Sequence, residues 1–211
     1  MSNSAVIKEL REGAGALGLS FADHVFAALD VYLQLLIKWN SSFNLSGISD
    51  PGEMVSRHLL DSLAISPYIT GNLIADIGTG AGLPGIPLAI ANPDKHFILI
   101  DSNGKKTRFL FQVKLALKLS NITIENSRIE HYQSNQQIDI VMSRAFSSLS
   151  DMAAKSVHLL AQDGFLLAMK GRYPEQEIDE LIDGFVVAKV SKLEIPGEDG
   201  ERHLIEIRRA T

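Results

Sequence analysis

Between Phe21 and Trp39 the apolar residues Val25, Leu29, Tyr32, Leu33 and Leu36 recur every three or four positions, the spacing that lines one face of a helix. Ser20 followed by Asp23 resembles a capping box in front of them, so the pattern predicts a helix over about 21–39. A second start lies at Asp50, Pro51 and Glu53, which supply a cap side chain, a proline at the first helical position and an acid in the first turn. That helix is expected to run to about Ser66, before Pro67. Residues 1–70 carry almost no strand pattern and read as an N-terminal helical cap.

From Leu73 onward the pattern changes. LIADI (73–77), HFILID (96–101), ITIENS (122–127), IDIVMS (138–143) and FLLAMK (165–170) are short β-rich runs separated by segments that can hold helices. This alternation predicts an α/β body over residues 71–211, one compact unit built on a doubly wound parallel sheet. The last two runs differ. FVVAKVSKLEI (185–195) and HLIEIRR (203–209) are joined only by PGEDGER, too short for a crossover helix, so they should pair antiparallel. The expectation is therefore a mostly parallel seven-stranded sheet that ends in an antiparallel C-terminal hairpin.

Composition narrows the chemistry. At 211 residues, 45% of them apolar, the chain can bury one full core plus a small appendage. It has no cysteine, which removes disulfides, thiolate metal sites and sulfur nucleophiles together. The apolar stretch 73–91 contains Asp76, four glycines and two prolines, so it reads as strand, turn and helix start rather than a membrane span. With no signal peptide legible either, a cytoplasmic protein with no membrane partner is expected.

The net charge of −5 argues against a passive coat for nucleic acid but leaves room for a local basic site. Lys105, Lys106, Arg108, Lys114 and Lys118 fall in one stretch, whose plainest reading is a solvated helix face. Arg128, Arg144, Lys170, Arg172 and Arg202 lie at or near expected strand ends, where chemistry is usually placed.

Gly78, Gly80, Gly82 and Gly85 follow the first strand and open a helix, a turn in which backbone can approach a ligand and present N–H groups to it. Gly80, Gly82 and Gly85 also fit the dinucleotide fingerprint G-x-G-x-x-G. Three details favour S-adenosyl-L-methionine over a dinucleotide. Asp76 can meet that ligand's positive amino-acid end, whereas it would repel a pyrophosphate. Pro84 removes an N–H that a pyrophosphate would use. Cap and sheet together leave almost no chain for a second substrate domain. Asp101, ending the second strand, stands where an acid accepts hydrogen bonds from ribose hydroxyls, and its alternative role is the N-cap of the next helix. Ile129 and Glu130, past the third strand, could flank an adenine.

After the fourth strand the chain reads Ser143, Arg144, Ala145, Phe146. Enzymes that methylate exocyclic amino groups of bases usually place [D/N]-P-P-[F/Y/W] here, so amino methylation is disfavoured. Cytosine C5 methylation needs the cysteine that is missing. A ring nitrogen such as guanine N7 carries a free lone pair and needs no general base, so positioning would supply most of the catalysis. Arg144 could then bind a cofactor carboxylate, an RNA phosphate or the base itself, with Lys170 as a further phosphate contact. Phe146 could stack on a splayed base or serve as a core aromatic. No metal is expected.

Beyond these local signals, the chain resembles the RsmG (also called GidB) 16S ribosomal RNA guanine-N7 methyltransferases. The segments that carry the likeness are KWNSSFNLSGI (38–48), SRHLLDSL (56–63), DIGTGAGLPGIPLAI (76–90), DSNGKKTRFL (101–110), SRIE (127–130), VMSRAFSSL (141–149), AMKG (168–171) and GERHLIEIRR (200–209), which cover most of the chain in order. The resemblance implies a class I, Rossmann-like fold. It also implies methyl transfer from S-adenosyl-L-methionine to N7 of guanine-527, in the 530 loop of 16S rRNA, within a small-subunit particle. It places the family's glycine-turn contacts on Gly78 and Leu83, its adenine contacts on Ile129 and Glu130, and a further cofactor contact on Arg144. Arg128, Lys170 and Arg202 join Arg144 in a basic rim toward RNA. Ser46 stands where the family often has threonine and keeps the hydroxyl. His58 and Asp61, three apart in the cap, are expected to fix it against the body. A small-molecule methyltransferase, with the cap as a lid over a closed pocket, is the alternative reading.

Overall fold

A computed structural model describes residues 3–144 and 146–210; Ala145, in the segment after the fourth strand, lies outside the described residues. The N-terminal part is helical. Helix α1 (Asn3–Ala16) precedes α2 (Asp23–Phe43), which starts later and ends later than the apolar periodicity suggests. The expected capping box does not form. The N-cap is Ala22, with no side-chain hydrogen bond. Phe21 packs edge-on against Phe26, ring centroids 6.1 Å apart, in the manner of a hydrophobic staple. Asp23 pairs with Arg11 of α1 at 3.0 Å while facing the positive end of its own helix. At the other end Asn44 adopts a left-handed conformation and its N–H closes on Asn40 O, so the helix stops there rather than at Trp39.

The second start signal is used as expected: Asp50 accepts from Gly52 N at 2.8 Å and Pro51 opens α3 (Pro51–Met54). The expected helix runs without a break to Leu63, a little short of Ser66, but changes its winding on the way. Val55–Leu60 is wound as a π-helix, α4 (Asp61–Leu63) follows, and Ser66–Tyr68 forms a 3-10 turn around Pro67. A π turn re-aims the side chains that follow it, and this one carries His58 and leads into Asp61.

The body comprises β1 (Leu73–Ile77), α5 (Gly85–Ala91), β2 (His96–Ile100), α6 (Gly104–Leu117), β3 (Ile122–Glu125), β4 (Ile138–Ser143), α7 (Leu149–Ser156), β5 (Leu160–Lys170), α8 (Glu175–Asp179), β6 (Phe185–Leu193) and β7 (Arg202–Arg209). The strand order is β3-β2-β1-β4-β5-β7-β6, parallel from β3 to β5, with β7 antiparallel to both its neighbours. The expected hairpin thus inserts its second strand next to β5. Between β3 and β4 the crossover holds only a 3-10 turn, Ile129–His131, instead of a helix. Strand β5 begins at Leu160 rather than Phe165. Gly164 permits this, because a Cβ there would lie 2.9 Å from Ile138 O, beside the register shift between β4 and β5.

Side chains alternate across the sheet and make two cores. On one face Ile74, Phe97, Leu99, Ile140, Met142 and Leu167 pack with the N-terminal helices, α5 and α6; on the other Ile77, Ile100, Val141, Leu166, Ile205 and Ile207 pack with α7. Leu29, Tyr32 and Leu36 of α2 are fully buried in the first core, each burial contributing about 1.5–3 kcal/mol. The sheet therefore presents its carboxyl edge between the N-terminal segment and the loops after β2, β3 and β4, with the strand order reversing beside β1. That crevice is where ligands bind in open α/β sheets. Among the described residues no helix is long and apolar enough to cross a membrane.

Candidate functional site

Two adjoining cavities, about 520 and 500 Å3, open at this edge, and Gly78 and Lys106 belong to both. The glycine turn forms the wall between them. Gly78, Gly80 and Gly82 have φ of 65°, 62° and 91°, a region costly for side chains other than glycine, asparagine and aspartate. The four glycines do different things. A Cβ on Gly82 would collide with Ile86 and Leu110, and one on Gly85 with Leu99 and Asp76, so these two serve the packing of the turn. A Cβ on Gly78 would meet nothing among the described residues.

Contrary to expectation, the turn does not present a row of free N–H groups. Thr79 N donates to Ile100 O, Gly80 N to Asp101, Gly82 N and Leu83 N to Thr79 O, and Gly85 N to Asp76. With these donors spent internally, the turn lacks the nest of amides that would cradle a pyrophosphate. From above, Tyr32 of α2 donates its hydroxyl to Ala81 O at 2.8 Å, so the N-terminal segment itself fixes the turn.

Asp76 lies beneath the turn, fully buried, and lines neither cavity. One oxygen accepts from Thr79 Oγ1 at 2.6 Å and Gly85 N at 2.9 Å; the other, also buried, has no partner among the described residues. Burial pushes its pKa up to about 7 against the pull of those hydrogen bonds. Asp101 faces the second cavity and is not the N-cap of α6, a role that Asn103 fills by accepting from Lys105 N. Its two oxygens accept from Gly80 N and Asn103 N, both at 2.8 Å, and each keeps acceptor capacity. Ile129, buried, and Glu130, exposed, line the same cavity from the 3-10 turn. Arg128 and Phe146 line it too, Phe146 packing against the second core with Lys155 over its ring at 5.7 Å.

The first cavity has a different character. Leu83, Arg144, Lys170 and Arg202 line it, together with Arg57, His58 and Asp61 from the N-terminal segment. Asp61 accepts from Arg202 Nε at 3.0 Å and from Arg144 Nη1 at 3.4 Å. Burial raises its pKa, and both arginines oppose that rise. Arg144 also donates to Arg57 O at 3.1 Å. His58 Nδ1 donates to the same carbonyl, which leaves Nε2 to accept from Ser46 Oγ at 2.6 Å. Burial first, then the Arg144 charge, lowers the His58 pKa to about 4, so the ring is neutral at ordinary pH. Lys170 is tied to Glu177 of α8 at 2.8 Å and is not a free cation. Arg172 is exposed and lines neither cavity.

His203 escaped the reading of the sequence. It is buried on β7 opposite Lys170 and lines the first cavity; its Nδ1 has no partner among the described residues, and Tyr173 stands edge-on to the ring at 5.8 Å. Its place next to Arg202 at a strand start was the available signal.

A family profile described as GidB, rRNA small subunit methyltransferase G, matches residues 26–205. The ribosomal RNA small subunit methyltransferase G of Ectopseudomonas mendocina is 48% identical over 205 residues, 96% of each chain. The protein of the same name from Salmonella agona is 50% identical over 191 residues, 90% of this chain and 92% of the relative. Among solved structures, magnesium protoporphyrin IX methyltransferase from Synechocystis PCC 6803 with bound SAM superposes with a TM-score of 0.61 at 15% identity, covering 85% of this chain and 97% of that one. Ribosomal protein L11 methylase from Lactobacillus delbrueckii subsp. bulgaricus gives 0.54 at 18% identity, over 72% and 77%. At such identities these two show the fold alone, that of the class I methyltransferases.

Proposed function

The chain belongs to the rRNA small subunit methyltransferase G (GidB) family, and from that premise we propose that it transfers the methyl group of S-adenosyl-L-methionine to N7 of guanine-527 in 16S rRNA, presented within a small-subunit particle in the cytoplasm. The observation that carries this reading is the pair of cavities sharing Gly78, one offering Asp101, Ile129 and Glu130 and the other Arg57, Arg144 and Arg202.

The second cavity fits the methyl donor. Asp101 would accept hydrogen bonds from the ribose hydroxyls, Ile129 and Glu130 would hold the adenine, and the amino-acid end would pass Gly78 toward Gly80 and Leu83, which line the first cavity. Asp76 acts from beneath, its unpartnered oxygen favouring a positive group close by. When bound, S-adenosyl-L-methionine supplies an electrophilic methyl group on a sulfonium.

The first cavity would receive the target base, and Arg144, Lys170 and Arg202, with Arg128 at the neighbouring mouth, would meet RNA. Guanine N7 must keep its lone pair free to attack, so arginine contacts belong on O6 or on phosphate rather than on N7. No proton has to leave N7. A neutral His58 held by Ser46 and the Arg57 carbonyl suits a positioning role, and catalysis rests on orientation of the base against the donor. Residues 1–70 would act as a cap that completes the site on the body of residues 71–211. A small-molecule acceptor would call for a closed apolar chamber, whereas this cavity is rimmed by Arg57, Arg144 and Arg202.

Deleting the gene and mapping N7-methylguanine in small-subunit RNA by chemical cleavage at that base tests the reading. The signal should vanish and return with the intact gene. A signal that survives deletion overturns it.

A further inference from the structure

Between Asp101 and Glu125 the chain has no acidic residue and five basic ones, in a protein whose net charge is −5. The structure resolves that stretch into different fates. Lys106 turns to the two cavities and lies 3.9 Å from Asp101, and Lys114 donates to Ile122 O. Lys105, Arg108 and Lys118 are exposed and have no ion-pair partner among the described residues. They share one stripe of α6 and its C-cap with Phe111, Gln112 and Leu115, all exposed at three- and four-residue spacing. Phe111 is 48% and Leu115 70% exposed, unusual for large apolar side chains on a helix whose opposite face, Phe109, Leu110 and Val113, is fully buried.

We propose that this outward face of α6 is a second RNA-docking surface, which grips the phosphate backbone flanking the target nucleotide through Lys105, Arg108 and Lys118 and stacks an unpaired base on Phe111. The inference rests on the reading that small-subunit RNA is the substrate. Charge complementarity selects the partner, since unpaired cations with no intervening acid match a polyanion. The exposed aromatic matches the unstacked bases by which single-stranded RNA is recognised. The stripe is continuous with the site, because α6 begins beside the cavities at Lys106 and extends about 20 Å away from them at 1.5 Å per residue.

The test uses the full chain, a fragment of 16S RNA spanning the target loop, and purified small-subunit particles. A Lys105→Gln/Arg108→Gln/Lys118→Gln variant should bind the RNA about tenfold or more weakly near 0.1 M salt, and the slope of log K against log salt should fall by roughly two to three. Phe111→Ala should weaken binding on the order of tenfold with no change of slope. S-adenosyl-L-methionine affinity, measured in the same variants, should stay at the wild-type value and certifies the fold. Unchanged RNA affinity and slope with the cofactor still bound overturns the proposal. So does a loss confined to Phe111→Ala and Leu115→Ser on assembled particles, which would make the face a protein contact. These binding measurements do not depend on methylation, so failure of the methylation reading shows separately, in the wild-type protein.

Discussion

Asp61, on the helical N-terminal segment, accepts a 3.0 Å hydrogen bond from Nε of Arg202, 141 residues further along the chain at the start of β7. Its second oxygen faces Arg144 at the end of β4. One buried carboxylate therefore ties the N-terminal segment to the ends of two strands and holds two guanidinium groups at the first cavity.

Replacing Asp61 with alanine leaves those arginines facing each other without a counter-charge. The expected cost is about 3 kcal/mol, the low end for a broken buried pair because both arginines keep some access to water. Asp61→Asn, which retains one acceptor, should lose less. Chemical denaturation orders the two, and equal stability of Asp61→Ala and wild type would contradict the arrangement.

The glycines of the turn should separate by position. Gly78→Asp places a residue that tolerates positive φ where a Cβ meets nothing among the described residues, so the fold should persist while S-adenosyl-L-methionine binding is abolished by occlusion. Gly85→Ala meets Leu99 and Asp76 at once and should lower the melting temperature instead. Thermal melts with and without cofactor read both effects.

Asp101→Ala removes an acceptor from the second cavity and releases Gly80 N. Cofactor affinity should drop by about 1.5–3 kcal/mol, the range for hydrogen bonds to a charged group. Calorimetric titration measures it, and an unchanged affinity would displace the ribose contact from this residue.

His58 and Asp76 give opposite dependences on pH. Burial takes the His58 pKa from 6.5 down to about 4, so its contribution to stability is full above pH 6.5 and is lost as the pH falls toward 4, about 3 kcal/mol in all. The Asp76 pKa rises from 3.8 to about 7, so its contribution is full below 3.8 and is lost as the pH rises through 7. In the unliganded protein the two slopes oppose each other between about pH 4 and 6.5. His58→Gln should leave stability that falls with rising pH, and Asp76→Asn should leave stability that climbs. Urea midpoints at pH 5 and 7.5 decide, and parallel profiles in the two variants would refute the assignment. Asp76→Asn should also weaken S-adenosyl-L-methionine binding, since it removes the negative charge beneath the turn.

All seven strands were legible as β-rich runs, the C-terminal hairpin as a link too short for a helix, and the glycine turn as a cluster after an apolar strand. These features are local: a two-residue or 3.6-residue period and a turn composition are written into neighbouring positions. The helix boundaries were read less well, because Phe21 clasping Phe26 and Asn44 turning left-handed decide them, and both depend on packing rather than on cap letters.

The opening feature of the site, the four glycines, shows where local reading ends. Sequence alone marks a backbone that must bend; only the neighbours Ile86, Leu110 and Leu99 show that Gly82 and Gly85 serve packing while Gly78 borders the cavities. Likewise, the sequence placed arginines at strand ends but not their partner. Strand order brings β4 and β7 to either side of one edge, and the N-terminal segment delivers Asp61 between them, a pairing over 83 and 141 residues that no short-range pattern encodes. The sequence thus determined the strands and the place of the glycine turn, because these follow from backbone conformation and periodicity. Tertiary structure decided which groups face the cavities and which are spent inside the protein, because that depends on contacts made only once the sheet is assembled.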